Sequence, residues 1–102
     1  MWAVRALDVD DFEWDDLNKA KLDRHGVTTQ KVEEVLRNAP EFFINFPGRS
    51  AEFLMIGPDR NGQFYYAPLV PWTDEGVWYV VTAHRIDEKR ARRFYGAPGG
   101  QQ

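Results

Sequence analysis

The stretch TTQKVEEVLRNAPEFFINF, residues 28–46, changes from a helical to a strand-like pattern at a single proline. Its apolar residues recur at helical spacing: Val32, Val35, Leu36 and Ala39. Thr28 has the side chain of a helix N-cap, and Pro40 ends the pattern because the residue before a proline is pushed out of the helical conformation. The β-rich run that follows predicts a strand. We therefore expect an amphipathic helix packed on a sheet that begins directly after it.

A second helix is predicted immediately upstream of this stretch. Asp15 or Asp16 can cap it, and it runs to Arg24 or His25. Gly26 ends it, because glycine readily adopts the left-handed conformation that closes a helix. The two helices are therefore expected to follow one another with a tight turn between them.

The rest of the chain is β-rich, with one further helix at the end. Turn residues bound four runs that predict strands at 41–46, 52–56, 64–69 and 77–84, and an extended start is expected at 2–9. Short gaps between the runs favour antiparallel pairing, since parallel strands need long crossovers. Pro68 and Pro71 cannot donate ladder hydrogen bonds, so the end of the third run is expected on a sheet edge or beyond it. Asp87 caps the last predicted helix, which runs to Tyr95.

The predicted fold class is α+β: helix-helix, a four-stranded antiparallel sheet and a C-terminal helix, with the helices on one face of the sheet. At 102 residues the chain has the size of one domain, which we assign to residues 1–96. Residues 97–102, with Pro, Gly and Gln, are expected to form a flexible tail.

Composition disfavours several classes of protein. The chain has no cysteine and two histidines, so disulfides are excluded, no metal site is expected, and a reducing cytoplasm is the expected compartment. Neither a transmembrane run nor a signal-peptide pattern is present. The net charge of −3 disfavours a protein that coats DNA. Phosphate-binding glycine loops and the GxSxG and HExxH motifs are absent, which narrows the candidate chemistry. No cofactor is expected.

Charge is unevenly distributed along the chain. Residues 8–16 hold six acids and no base, whereas residues 85–93 hold five bases against two acids. A local positive surface attracts phosphate even on an acidic protein, although two oppositely charged solvated faces give the same pattern.

Each of the two histidines lies beside an arginine, as Arg24-His25 and His84-Arg85. An imidazole exchanges protons near neutral pH and a guanidinium binds phosphate oxygens, which is the chemistry that metal-independent RNA cleavage needs. Structural roles stay open as well. His25 can complement the negative end of a helix dipole. His84, which strand alternation places on the face of Val80, can be a hydrogen-bonded residue at the rim.

The predicted last helix carries a basic surface, which either follows a phosphate backbone or is simply solvated. Its basic residues are Lys89, Arg90, Arg92 and Arg93. Trp72 lies in a predicted loop and is the aromatic residue most expected to be exposed, where it can stack on an unpaired base.

A group of residues around the first predicted helix forms a recognisable pattern. Phe12-Glu13-Trp14-Asp15 is followed by Asn18, Lys19 and Arg24-His25-Gly26-Val27. These residues resemble the F-E-W-D motif, the Lys-rich helix and the K-H-G-V motif of the BrnT-type toxins of bacterial type II toxin–antitoxin systems, distant relatives of the RelE-like ribonucleases. The resemblance covers about residues 12–95 and includes Glu33-Glu34-Val35-Leu36, Ile56-Gly57 and the basic helix that ends near a tyrosine.

The resemblance implies a metal-independent endoribonuclease that arrests growth by cutting cellular RNA. It also implies a cognate BrnA-like antitoxin, which itself binds DNA and holds the enzyme inactive. Carried over by position, Lys19 and His25 match the first motif, and residues 90–95 match the basic helix. The family commonly ends its last strand with S-A-R, whereas this chain has Thr82-Ala83-His84 followed by Arg85.

Two interpretations follow. The first is the endoribonuclease, in which Arg24, Trp72 and the four basic residues of the last helix contact the RNA. In this interpretation His25 or Lys19 acts near the 2′-hydroxyl, and His84 and Arg85 contact the scissile phosphate. Tyr95 orients the substrate or donates a proton to it. The alternative is a non-catalytic module of the same fold that acts only through a partner protein, including as part of a DNA-binding regulatory complex.

Overall fold

The computed structural model of the protein describes residues 7–95. In chain order its elements are β1 (Asp11–Glu13), α1 (Asp16–Arg24), α2 (Thr29–Leu36), β2 (Glu41–Ile44), β3 (Phe53–Pro58), β4 (Phe64–Pro71), β5 (Val77–Val80), β6 (His84–Ile86) and α3 (Glu88–Tyr95). The fold class is α+β, as predicted. The expected tail at 97–102 and most of the expected extended start at 2–9 lie outside the described residues.

Within the described residues the strands form one mixed six-stranded sheet, in the order β1-β5-β4-β3-β2, with β6 beside β4. β1 is parallel to β5, and the other pairings are antiparallel. The prediction of a four-stranded antiparallel sheet is therefore wrong. Sequence analysis misses β1 because it is three residues of an acidic segment, with Phe12 as its one fully buried side chain. The predicted last strand is divided into β5 and β6.

The first two helices begin at the residues that the sequence indicates. The Asp15 carboxylate accepts a hydrogen bond from the Asn18 N–H (2.9 Å), and the Asn18 side chain accepts one from the Asp15 N–H (2.8 Å). Thr28 caps α2 through the backbone N–H three residues on. α2 ends at Leu36, earlier than the apolar spacing suggests, because Ala39 adopts a φ of +53° as the chain turns into β2.

Helices cover both faces of the sheet, so the prediction that they share one face is wrong. On the first face, Leu22 of α1 and Val35 of α2 pack with Met55 of β3. On the second face, Ala91 of α3 packs in a separate cluster with Phe43 of β2. The sheet is thus the middle layer of three.

A bulge in the strand next to β4 decides which side chains the end of the sheet presents. Leu69 pairs with Val80, but Tyr66 pairs with His84, so three residues of the outer strand oppose two of β4. The extra residue shifts the register by one and reverses the alternation of faces. His84 therefore lies on the face opposite Val80, and the prediction that the two share a face is wrong.

The same bulge explains how Pro68 fits inside β4, which has strands on both sides. The Pro68 carbonyl accepts a hydrogen bond from the Val81 N–H (3.0 Å). The proline nitrogen, which has no hydrogen to donate, faces the same side, where residues 81–83 interrupt the ladder. Pro68 is consequently buried within the sheet, and the expectation that it lies on an edge is wrong.

Candidate functional site

His25 and His84 meet at one end of the sheet. Their ring centroids are 4.1 Å apart and the ring planes are inclined by 52°. His25 comes from the end of α1 and is exposed, whereas His84 begins β6 and is half-buried. These two side chains, called the imidazole pair below, contact one another and are accessible from solvent.

The end of α1 holds His25 in place. His25 is the C-cap, and its N–H donates to the Leu22 carbonyl (2.9 Å). Gly26 follows with a φ of +67°, a conformation that favours glycine, and ends the helix as predicted. The Arg85 guanidinium donates to the Gly26 carbonyl (2.9 Å). That bond ties α1 to β6 and so brings together two histidines that are far apart in the chain.

The bulge and an aromatic contact position His84. The ring centroids of Tyr66 and His84 are 5.6 Å apart, and Tyr66 also lies against Phe94 of α3. Burial lowers the pKa of His84 below its ordinary value, and the charges of His25 and Arg90 lower it further. At neutral pH His84 is therefore an uncharged imidazole with a nitrogen that can accept a proton.

Three arginines border the imidazole pair. Arg24 is exposed and immediately precedes the C-cap of α1. Arg85 faces the side of the sheet opposite to His84, where it caps α1. Arg90, in the first turn of α3, is close enough to His84 for its charge to affect the pKa. Of the three, Arg90 is the arginine whose charge acts on His84.

The other basic residues of α3 lie on its exposed surface. Arg92 forms an ion pair with Glu88 (2.6 Å), which partly neutralises its charge. Lys89 and Arg93 are exposed, and neither forms an ion pair with the part of the chain that the structure describes. Tyr95 is the last residue of α3, and its side chain lies outside the described structure.

Two residues of the expected site lie away from the imidazole pair. Lys19 is in α1 near the N-cap, where its charge acts on Asp15. Trp72 stacks on Tyr79, with ring centroids 4.6 Å apart, just beyond the end of β4 that is distant from Tyr66. The six residues of extended chain from Tyr66 to Trp72 span about 20 Å. Trp72 therefore belongs to a different part of the surface.

Tyr66 is the residue that sequence analysis did not assign to the site. Alternation along β4 does place Tyr66 and Tyr65 on opposite faces. The pattern cannot show which face meets His84, because the answer depends on the register that the bulge sets.

Neither a family model nor a curated protein matches the chain. Within residues 7–95, no group of three or more His, Cys, Asp or Glu side chains is arranged to hold a metal ion. None of the helices described here combines the length and the apolar character needed to cross a membrane.

Proposed function

We propose that the protein is a metal-independent endoribonuclease toxin, which cleaves cellular RNA by attack of a ribose 2′-hydroxyl on the adjacent phosphate. The observation that carries the proposal is the contact between His25 and His84, 4.1 Å between ring centroids, among bordering arginines. Because His25 is exposed, a polymeric substrate can reach the pair. Imidazoles are also the side chains best suited to exchange protons near neutral pH.

The two imidazoles divide the proton transfers of the reaction. His84, uncharged at neutral pH, accepts the proton of the 2′-hydroxyl as that oxygen forms its bond to phosphorus. His25, in its protonated form, gives a proton to the 5′-oxygen as the bond between that oxygen and phosphorus breaks. The products are a 2′,3′-cyclic phosphate and a 5′-hydroxyl, and solvent then returns each imidazole to its starting state.

The distance between the rings decides where a phosphate would lie. A separation of 4.1 Å between centroids leaves no room for a phosphate between the rings, so the substrate lies along their exposed edges. The entering and leaving oxygens are on opposite sides of phosphorus during in-line displacement. Each imidazole can then exchange a proton with one of the two oxygens.

The arginines supply the charge that the transition state needs. Negative charge builds up on the phosphate oxygens during attack, and fixed cations nearby stabilise it. Arg90 is near His84, and Arg93 lies one turn further along the same side of α3. We assign contacts with the RNA backbone to these residues and to Arg24. Arg85 holds α1 against β6 and keeps the imidazole pair together.

The resemblance to BrnT-type toxins supports the biological part of the proposal. On this basis the protein acts in the bacterial cytoplasm, and a cognate BrnA-like antitoxin holds it inactive. DNA is bound only through the antitoxin. His84 stands where the family commonly has arginine, and we propose that proton transfer there replaces a phosphate-binding charge.

RNA cleavage by the purified protein tests the proposal. The wild type is expected to cleave single-stranded RNA in the presence of EDTA. His25→Gln and His84→Gln should each lower the rate about 10²- to 10⁴-fold, the usual contribution of an acid or base. The control is Arg49→Gln, an exposed residue in the turn between β2 and β3, which should keep the wild-type rate. Equal rates for all variants, or no cleavage by folded wild type, would contradict the proposal.

A non-catalytic binding module is the second candidate function, and a separate surface favours it. Trp72 is exposed next to the acidic segment, about 20 Å from the imidazole pair. Under this hypothesis, His25→Ala and His84→Ala leave the affinity for a partner and the growth of the cell unchanged.

A further inference from the structure

The part of the second sheet face beyond α3 carries an exposed pair of aromatic rings. α3 packs over β2, β3, β6 and the start of β4. Past it, Trp72 is 42% exposed and stacks on the half-buried ring of Tyr79, with 22° between the planes. Tyr79 lies on this face because its neighbour Trp78 points into the core of the first face. Trp72 lies on the same face because it stacks on Tyr79.

Acidic side chains lie beside Tyr79 in this aromatic pair. Glu13 is in register with Tyr79, and the charges of Glu13 and Asp15 both act on the Tyr79 hydroxyl. We use the name acidic–aromatic face for the surface formed by Asp11, Glu13, Trp72 and Tyr79. Its two carboxylates form no ion pair with other described residues.

A hydrogen bond holds the aromatic pair in place. The Tyr79 hydroxyl donates to the Asp15 carboxylate, 2.9 and 3.1 Å from its two oxygens. Asp15 is the N-cap of α1, so the ring is tied to the start of a helix. Burial and the bond to Asp15 raise the pKa of Tyr79 to about 12, which keeps the hydroxyl protonated as a donor. A surface held in this way loses little entropy when it binds a ligand.

We propose that the acidic–aromatic face docks a cationic segment of a partner protein, an arginine- or lysine-rich stretch with apolar residues among its charges. A guanidinium can stack on the open face of Trp72 while the carboxylates pair with neighbouring charges. The stacked rings of Trp72 and Tyr79 offer contact to the apolar residues of such a segment. The same carboxylates repel nucleic acid, so charge complementarity selects a basic protein segment.

The partner binds through side chains and not as an added strand. β1 is the outer strand on this side of the sheet. Its Phe12 N–H already donates to Oδ1 of Asp11 (2.8 Å), which removes the central backbone donor that an added strand needs.

This inference goes beyond the nuclease proposal and does not depend on it. The acidic–aromatic face and the imidazole pair lie at opposite ends of β4, about 20 Å apart. A segment docked on the face therefore leaves the imidazole pair uncovered.

Binding of a defined peptide to the intact protein tests the proposal. The probe is a fluorescent amphipathic peptide with arginine on one side and leucine on the other, and its control has glutamate in place of arginine. Glu13→Lys and Trp72→Ser are each expected to weaken binding about tenfold, which corresponds to about 1.4 kcal/mol. Glu41→Lys and Phe46→Ser, exposed at the opposite edge of the sheet, are matched controls that should bind as the wild type does.

Backbone amide shifts during the titration locate the site. They are expected to change at residues 11–17 and 70–79 and not in α3. Equal weakening in the control variants, or equal binding of the glutamate peptide, would overturn the proposal. So would self-association that Arg90→Glu abolishes, since a second copy would then be the occupant. If Trp72→Ser lowered RNA affinity and left peptide affinity unchanged, the surface would belong to an RNA path instead. RNA cleavage is measured separately, so failure of either proposal leaves the other testable.

Discussion

Asn18 is the buried polar side chain that connects the N-terminal elements. Its amide donates hydrogen bonds to the carbonyls of Glu13 (2.9 Å) and Val80 (3.0 Å), and none of its surface is exposed. Its side-chain oxygen also accepts the Asp15 N–H. One residue therefore joins the start of α1 to both β1 and β5.

Asn18→Leu keeps the volume of this side chain and removes its hydrogen bonds. The free energy of unfolding is expected to fall by about 2–5 kcal/mol, because the carbonyls of Glu13 and Val80 lose their donor within a buried site. Urea denaturation measures the change. Gln30→Leu, at an exposed position of α2, is the control and should stay within about 0.5 kcal/mol of wild type. An unchanged urea midpoint for Asn18→Leu would show that these bonds contribute little.

The lowered pKa of His84 makes stability depend on pH. As the pH falls below about 6.5, the ordinary histidine value, the unfolded chain takes up this proton before the folded protein does. The contribution is therefore fully present above that pH and is lost below it, so the free energy of unfolding should decrease as the pH falls. Urea denaturation between about pH 7.5 and 5.5 measures the slope, which His84→Gln is expected to flatten.

Carboxylates do not account for a slope in that range. The pKa values of Asp15 and Asp59 are lowered, chiefly by backbone hydrogen bonds that act against burial in Asp59, so their contributions are lost only at more acidic pH. A slope of equal size in His84→Gln would contradict the role given to His84.

The bulge between β5 and β6 is the structural element on which the imidazole pair depends. It turns His84 toward Tyr66 and leaves Arg85 on the side of α1. Thr82 lies within it, and the Thr82 hydroxyl is buried with no hydrogen-bond partner among the described residues. Such a group costs stability, because it has lost its contacts with water and gained none.

Thr82→Val removes that hydroxyl at nearly constant volume. The free energy of unfolding is expected to rise by about 1 kcal/mol, with no change in RNA cleavage. Thermal and urea denaturation measure the effect, and Thr73→Val, at an exposed position, is the matched control. A loss of stability in Thr82→Val alone would mean that the hydroxyl has a partner.

Sequence patterns predict the elements better than their arrangement. Asp15, Gly26 and Thr28 mark helix ends correctly because capping is decided by neighbouring residues. The predicted runs at 41–46 and 64–69 contain β2 and most of β4 for a similar local reason. Register is not a local property. The bulge becomes apparent only when the outer strand is aligned on β4, and the register then decides on which face of the sheet His84 and α3 lie.

The candidate site is only partly predictable for the same reason. The pairs Arg24-His25 and His84-Arg85 are visible in the sequence. The contact between the two histidines depends on the Arg85 bond to α1 and on the bulge. Lys19 and Trp72 belong to the same predicted set, yet the fold places them elsewhere, since chemical type carries no information about distance.

In the whole molecule, the opposite charges of the sequence occupy different ends of the sheet. The imidazole pair and the basic residues of α3 are at one end of β4, and the acidic–aromatic face is at the other. A polyanion is attracted to the first surface and repelled by the second. Under the two proposals, RNA and a basic partner segment therefore bind to separate surfaces.

The chemical nature of the cleaved RNA ends tests the central proposal most directly. Mass spectrometry of the products formed in EDTA is predicted to show a 2′,3′-cyclic phosphate on the upstream fragment and a 5′-hydroxyl on the downstream one. Deoxyribose at the cleaved position should abolish the reaction. Fragments with a 3′-hydroxyl and a 5′-phosphate, or cleavage next to deoxyribose, would contradict proton transfer between the 2′-hydroxyl and the imidazole pair.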